Sequence, residues 1–358
     1  MGFSWQKVPL QLEDSGEWVE AQAPEIISAS RSTDIPAFYA DWFFDRLKKG
    51  YSAWINPFNG KKSYVSYQNT RFIVFWSKNP YPLLSHLDQL KEMGIGCYIQ
   101  YSLNDYENER LEKNVPNLDF RINTFKLLSE KLGSESVIWR FDPLLLTDDI
   151  DINSLLHKIE RIGSQLYGYT EKLVFSFADI AIYSKVKQNL IKNGIEAREW
   201  TESQMREFAQ QLRELNNSKG WNYELATCGE KIDIAKYGIQ HNRCIDGDLI
   251  TRLAWDDKDL MEFMKVKIED IPAPTLFGDP ELPEGAILLP HNHYFISNHK
   301  KDLGQRPFCE CMASKDIGEY NTCPHLCEYC YANATKQLAL QNRKYHKANP
   351  RGETITGK

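Results

Sequence analysis

No stretch of 18 consecutive apolar residues occurs in the chain, so no segment is expected to span a bilayer. The opening residues, MGFSWQKVPLQLED, lack the basic segment followed by an apolar one that marks a secretory leader. Gln6 stands where a myristoylation signal needs Ser or Thr. Positive charge is not in excess either. Lys and Arg number 43 against 49 Asp and Glu, a net −6 that argues against a general nucleic-acid or anionic-membrane surface but leaves room for a local basic patch. Internal repeats and low-complexity tracts are also missing. What the chain has is 358 residues, enough at roughly 150 per domain for one large or two medium domains, or for a single α/β barrel. It also has eight cysteines, seven of them after residue 227. With a cytoplasmic location expected, these are better read as metal ligands than as disulfides.

A pattern recurs along the chain: a short apolar, β-branched or aromatic run, then a polar residue, then a helical segment. The runs are Glu25–Ser30, Ser52–Phe58, Phe72–Ser77, Cys97–Leu103, Val137–Asp142, Lys172–Ala178 and Tyr223–Cys228. Near-continuous apolar runs suit strands buried on both faces. Helices are expected over Ala37–Lys49, Tyr81–Met93, Leu118–Leu132, Ile152–Leu166, Ser184–Asn193 and Glu202–Asn217, several with a proline at the start or a glycine at the end. Such alternation implies right-handed crossovers and a parallel sheet. Seven units of ~30 residues point to a TIM-like (β/α)8 or near-complete barrel. The eighth strand is expected within Cys311–Gly318, with Ala286–Leu289 as the rival.

Outside the alternation, residues 1–24 read as a hairpin turning at Asp14–Gly16, a plug for the barrel base. Residues 268–304 form a Pro-, Gly- and His-rich inserted loop, whose His291, His293 and His299 read as solvated rather than metal-binding. Residues 305–345 carry the last strand, a cysteine loop and a C-terminal helix, its Lys336–Lys347 stretch read as a solvated face. Residues 346–358 are expected to be a flexible tail.

Within the cysteine loop, Cys323, Cys327 and Cys330 stand at C-x3-C-x2-C and can aim three thiolates at one centre. A structural zinc site wants a closed shell of four protein ligands; a [4Fe–4S] cluster accepts three and leaves one iron open. The competing reading is a zinc knuckle completed by His325 or an upstream cysteine. The spacing, followed by the aromatic Tyr331, resembles the signature of the radical S-adenosylmethionine (SAM) superfamily. The chain is also similar, over Ile26–Tyr39, Asn56–Phe58, Val74–Pro80, Val137–Pro143 and Gln305–Asn333, to a family of bacterial and archaeal proteins with no assigned activity.

The superfamily resemblance implies a [4Fe–4S] cluster on the three cysteines, SAM chelated at its open iron, and a 5′-deoxyadenosyl radical that abstracts hydrogen from a substrate. It also implies a low-potential electron donor of the flavodoxin or ferredoxin type. The substrate is expected to be a small molecule rather than a nucleic acid. Superfamily members carry the cysteine loop after their first strand; here it comes last, so the barrel looks circularly permuted, with Glu25–Ser30 as the second strand. In that register Ser28, Ser30, Arg31, Thr33 and Asp34 become candidates for the SAM amino group. Ser77, Lys78 and Asn79, on the fourth strand, become candidates for its carboxylate or ribose, and Tyr331 for packing on the nucleoside. Tyr101, Arg140 and Asp142, on the fifth and sixth strands, fall around ribose, adenine or substrate. For Arg140 and Asp142 a structural ion pair is the competing reading, and for Arg31, Asp34 and Lys78 loop capping and surface pairing.

Cys228, Cys244, Cys309 and Cys311 are four, the number a second [4Fe–4S] cluster needs. Zinc or unpaired thiols are the alternatives. One objection stands: a strand beginning at Cys309–Cys311 puts those residues at the barrel base, while Cys228 ends a strand at its top. Cys97, opening a strand, reads as a small core hydrophobe. Three further functions remain open: a DNA-lesion repair enzyme resembling spore photoproduct lyase, a barrel merely stapled by zinc, and a metal-dependent hydrolase using Arg140, Asp142 and the His-rich insert.

Overall fold

The computed structural model describes residues 3–56, 59–273 and 281–357. Eight parallel strands form its main sheet: β1 (Ile26–Ala29), β2 (Phe72–Ser77), β3 (Gly96–Ser102), β4 (Val137–Leu144), β5 (Lys172–Phe177), β6 (Glu224–Thr227), β7 (Ile239–His241) and β8 (Lys315–Asp316). Their order is β7-β6-β5-β4-β3-β2-β1-β8, so each strand pairs with its neighbour in sequence, except that β8 returns to flank β1. The runs are continuous because both faces are covered: all four residues of β1 are fully buried, as are the first four of β2. Of the expected runs, six lie in this sheet, and the eighth strand falls within Cys311–Gly318 as expected.

The two edges of the sheet approach each other. Past β7, the Ile245 carbonyl accepts from Met312 N–H at 3.1 Å, and the Ile245 N–H donates to Cys311 Sγ at 3.4 Å, just ahead of β8. No ladder joins β7 to β8 among the described residues.

Several expectations are corrected. The run Ser52–Phe58 is not a stave of the main sheet. Tyr51–Ile55 turns back through Asn56 and Lys61 to pair antiparallel with Lys62–Ser66, which pairs in parallel with the expected N-terminal hairpin, Lys7–Gln11 and Trp18–Gln22. An apolar run fits either kind of buried strand; the alternating segment after the turn decided its partner. Pro57 and Phe58, at the end of that run and of the Asn56–Phe58 stretch, lie outside the described residues. Consequently β2 is third counting from β8, not fourth, and β3 and β4 move up likewise. The missing stave is Ile239–His241, three residues too short to stand out in sequence. The rival Ala286–Leu289 pairs antiparallel with His293–Ile296 in a small sheet of the insert, whose residues 274–280 are outside the described set. Ala37–Lys49 is broken: Asp34 caps a short helix Ile35–Phe38 through Ala37 N–H at 3.0 Å, and a second helix, Ala40–Lys49, follows Tyr39.

The C-terminal tail is docked, not flexible. Thr354, Ile355 and Thr356 are buried. Ile355 N–H donates to Glu319 at 3.1 Å, Trp42 Nε1 to the Gly352 carbonyl at 2.8 Å, and Ala53 N–H to the Glu353 carbonyl at 2.8 Å. These bonds supply the backbone partners that a buried segment requires. No helix among the described residues is long and apolar enough to cross a membrane.

Candidate metal and cofactor site

A cavity of ≈ 680 Å³ opens at the carboxyl ends of the parallel strands, and seven of the eight cysteines line it. The end of a parallel sheet is where side chains from many strands converge without disturbing the ladder. One wall is the Cys323–Cys330 loop, which follows β8. The opposite side holds Cys228 after β6, Cys244 after β7, and Cys309 and Cys311 ahead of β8.

The cysteine loop is held from several sides. Thr33 and Thr322 hydroxyls meet, Tyr39 donates to the Thr322 carbonyl at 2.6 Å, and Asn333 Nδ2 to the Cys323 carbonyl at 2.8 Å. Loop residues between β3 and Leu118–Leu132, a helix in place as expected, complete the cradle. Asn114 Nδ2 donates to the Pro324 carbonyl at 2.9 Å, and Glu328 N–H to the Leu111 carbonyl at 2.9 Å. Burial pushes the Cys323, Cys327 and Cys330 thiols up, and Lys78 acts in the opposite sense on Cys327 and Cys330. As the chain stands, burial therefore favours the protonated thiols, and a metal bound there would have to displace those protons.

His325 does not complete a zinc knuckle. It is 2 % exposed; Nε2 is 2.8 Å from Asp34 Oδ2 and Nδ1 is 3.2 Å from the Asn114 carbonyl, so both ring nitrogens are engaged. Three thiols on a loop bordering a cavity, with no fourth ligand from His325, fit a group that keeps one coordination position open.

Among the SAM candidates, Ser30, Arg31, Thr33, Asp34, Ser77, Lys78 and Tyr331 line the cavity. Asp34 is already fully used: it accepts from Ser77 Oγ at 2.7 Å, Lys78 N–H at 2.7 Å and His325. Burial alone would raise its carboxyl, but His325, the Lys78 amide and Ser77 hold it below the ordinary range. Asp34 thus ties β1, β2 and the cysteine loop together. Lys78 Nζ lies 2.8 Å from Glu112 and over the Tyr329 ring at 5.4 Å, and it stays charged because Glu112 outweighs its burial. Arg31 sits at the other cysteine group, among Cys311, Cys244 and Cys309, with its guanidinium over Trp76 at 5.2 Å. Tyr331 donates to the Arg31 carbonyl at 2.9 Å.

Three expected site residues are not in the cavity lining. Ser28 Oγ donates to Asp316 Oδ2 at 3.2 Å, linking β1 to β8. Asn79 rests its N–H on Ser77 Oγ at 2.9 Å. Tyr101 points away from the sheet's inner face: its hydroxyl donates to the Arg121 carbonyl at 3.0 Å and its ring stacks on Phe125. The error is one of parity, since neighbours on a strand face opposite sides. Gln100 and Ser102, each one place away, face inward; Gln100 Nε2 donates to the Cys244 carbonyl at 3.0 Å, and Ser102 lines the cavity.

Arg140 and Asp142 do face the cavity, as a salt bridge. Arg140 Nη1 also donates to Gln100 Oε1 at 3.0 Å and Cys244 Sγ at 3.1 Å, while Asp142 accepts from Ser176. The pair joins β3, β4 and β5 to the loop after β7. Cavity residues missed in sequence include Trp54, Ser176, Glu230 and Arg306. Burial pushes Glu230 up to about 8, so it carries its proton at neutral pH. Polar Ser176 inside the apolar run KLVFSF was the available signal.

The objection to a shared site among the other four cysteines does not hold. Cys309–Cys311 lies in a loop at the cavity rim, and Cys228 Sγ is 3.3 Å from Cys244 Sγ. Hydrogen bonds from Cys228 and Cys311 hold Cys244 well below the ordinary thiol range, and Cys311 brings Cys309 down to about 6. Among the described residues, no three His, Cys, Asp or Glu side chains already surround a common point. Cys97 is half-buried and packs against the main core, and burial pushes its thiol up.

The histidines of the insert serve structure: His299 Nδ1 accepts from Gly247 N–H at 3.2 Å, and His293 pairs with Asp270 at 2.8 Å.

No curated protein and no solved structure matches this chain. A family match extends from Ile26, at the start of β1, through Ala332, just past the cysteine loop, and so takes in the whole main sheet and both cysteine groups. The chain belongs to the family described as domain of unknown function (DUF1848), matched over residues 26–332.

Proposed function

We propose that this chain is a radical SAM enzyme built on a circularly permuted (β/α)8-type barrel. The observation that carries the reading is the Cys323–Cys327–Cys330 loop, which borders a cavity at the carboxyl ends of the strands while His325 is held elsewhere. In this reading the three cysteines hold a [4Fe–4S] cluster, which when bound supplies the electron that cleaves SAM to a 5′-deoxyadenosyl radical. The strand order favours permutation: β8 flanks β1 and leads directly into the cysteine loop.

The chain's own residues bind, orient and exclude water. Lys78 and Tyr331 stand beside the triad and, with Ser30 in the same lining, would contact the bound nucleoside or its carboxylate, with the Lys78 ammonium fixed by Glu112. Asp34 and His325 act one step back by setting the position of the loop. Ser102, Ser176 and protonated Glu230 offer hydrogen bonds to a small substrate in the same cavity. In this reading the Met312–Ile245 bond marks where the two edges of the sheet meet. A low-potential flavodoxin- or ferredoxin-type protein would deliver the electron.

The test is anaerobic reconstitution with iron and sulfide, then incubation with dithionite and SAM. The expected result is 5′-deoxyadenosine from the native chain and none from Cys327→Ala. Equal product from both, or none from a fully iron-loaded native chain, overturns the reading.

A further inference from the structure

The second cysteine group has a position in the fold that its sequence spacing does not reveal. Cys244 follows β7, one edge of the main sheet; Cys309 and Cys311 precede β8, the opposite edge; and Cys228 directly follows β6. The four therefore gather at the seam where the sheet would have to close. That seam is weak in ordinary terms. Its edge strands are three and two residues long. The backbone crossing between them is the Met312-to-Ile245 bond, supported by Ile245 N–H on Cys311 Sγ. Short unpaired edges are a liability that folds cover or tie down.

We propose that Cys228, Cys244, Cys309 and Cys311 bind one tetrahedral metal ion of the zinc class, and that this ion staples the two edges of the sheet. The Cys228–Cys244 spacing suits a single ion. Four thiolates at Zn–S ≈ 2.3 Å stand about 3.8 Å apart at the tetrahedral angle, close to the 3.3 Å between Cys228 and Cys244. A cubane cluster spreads its cysteines over separate irons and needs wider spacing. Ile245, the neighbour of Cys244, donates its N–H to Cys311 Sγ at 3.4 Å, and all four thiols line the same cavity, so side-chain rotation of Cys309 and Cys311 would close the shell.

The surroundings match a thiolate centre. Arg140 Nη1 and Asn242 Nδ2 donate to Cys244 Sγ at 3.1 and 3.2 Å, the kind of outer hydrogen bonding that orients metal ligands. Four thiolates on a divalent ion leave two negative charges. Arg140 offsets part of that, and Arg31 stands beside Cys311 and Cys244 with its Nη2 buried and without a hydrogen-bond partner. With four protein ligands the site is closed, so its role is structural. The proposal does not depend on what the other three cysteines hold.

The test is elemental analysis of the native chain, of Cys309→Ser/Cys311→Ser, and of Cys323→Ala/Cys327→Ala/Cys330→Ala, combined with hydrogen exchange. The expected result is about one zinc per chain in the native and triple-variant proteins and none in the double variant. In the double variant, or after chelation, the amides of Ile245 and Met312 should exchange faster while that of Phe75 in β2 does not change. Should either variant fail to fold, cobalt substitution of the native chain decides, a tetrahedral four-sulfur absorption being expected. Iron with sulfide retained at these four cysteines overturns the single-ion proposal. So does metal-free protein with four free thiols or a Cys228–Cys244 disulfide.

Discussion

The two cysteine groups face the same cavity but are assembled in opposite ways. Cys323, Cys327 and Cys330 come from one loop of eight residues, and their thiols influence one another through charge. Cys228, Cys244, Cys309 and Cys311 come from three segments and gather at the seam of the sheet, where Cys228 and Cys244 meet sulfur to sulfur and Cys311 accepts from the Ile245 N–H. A local motif can leave one side open to the cavity because its backbone supplies the shape. A group gathered from several elements shapes the fold itself, and a metal bound there cross-links those elements much as a disulfide would. The first arrangement suits reaction, the second suits architecture.

The sharpest way to break this contrast is to remove ligands from each group in turn. Cys327→Ala is expected to take 5′-deoxyadenosine formation below detection while the melting temperature of the chain changes little. Cys309→Ser/Cys311→Ser should do the reverse, lowering the melting temperature while folded molecules still form product. If both changes act on product alone, the division of labour fails.

Gly318 lies on the segment that links the groups, and its replacement should disturb both. A Cβ there would stand 1.8 Å from Ser30 Oγ and 2.4 Å from Ser32 Oγ, so the chain must move. Gly318→Ala is expected to cost about 1–3 kcal/mol in urea unfolding and to lower iron and zinc retention together. A loss confined to one metal would show that the two walls move independently.

Asp34 separates them again. Asp34→Ala strands Ser77 Oγ, the Lys78 amide and His325, and removes a helix cap. Buried groups left without partners make a cost of about 2–3 kcal/mol the expectation. Iron retention at the triad should fall while zinc content holds, because no Asp34 bond reaches the seam.

How much of this was legible follows the same division. The C-x3-C-x2-C spacing, the six long strands of the main sheet and the placing of β8 before the cysteine loop were readable, because each is a continuous pattern. Ile239–His241 was not, being three residues whose strand character comes from pairing with β6. Tyr51–Ile55 was read as a stave because burial, not partner choice, is what an apolar run encodes. Tyr101 was chosen over Gln100 and Ser102 because a strand's inward face is set by register, which one sequence does not display. The tail was expected to be free since its partners, Glu319, Trp42 and Ala53, are far away in the chain. Asp34 and His325 were each noticed, but as a SAM ligand and a metal ligand; their bond to each other spans 291 positions.

Lys315, on β8 between the two groups, gives the smallest and most local probe. Burial pulls its ammonium down to about 8 from 10.5, with Asp316 opposing, and Nζ lies 3.8 Å from the centre of the Trp54 ring. Below pH 8 the folded and unfolded chains both hold this proton, and the burial penalty is constant. Between pH 8 and 10.5 the unfolded chain keeps the proton that the folded chain gives up, so this residue makes stability rise with pH across that window. Lys315→Met removes the term. The urea midpoint difference, variant minus native, should be positive at pH 7 and shrink as pH climbs past 8. The corresponding difference in unfolding free energy should be about 1 kcal/mol once solvent screening of a partly exposed group and the lost ring contact are allowed for. Since Lys315 is a ligand in neither group, iron and zinc contents should stay at native values throughout. A fall in either would mean that β8 transmits strain to the cysteines, and that the two sites share one mechanical element rather than a common cavity alone.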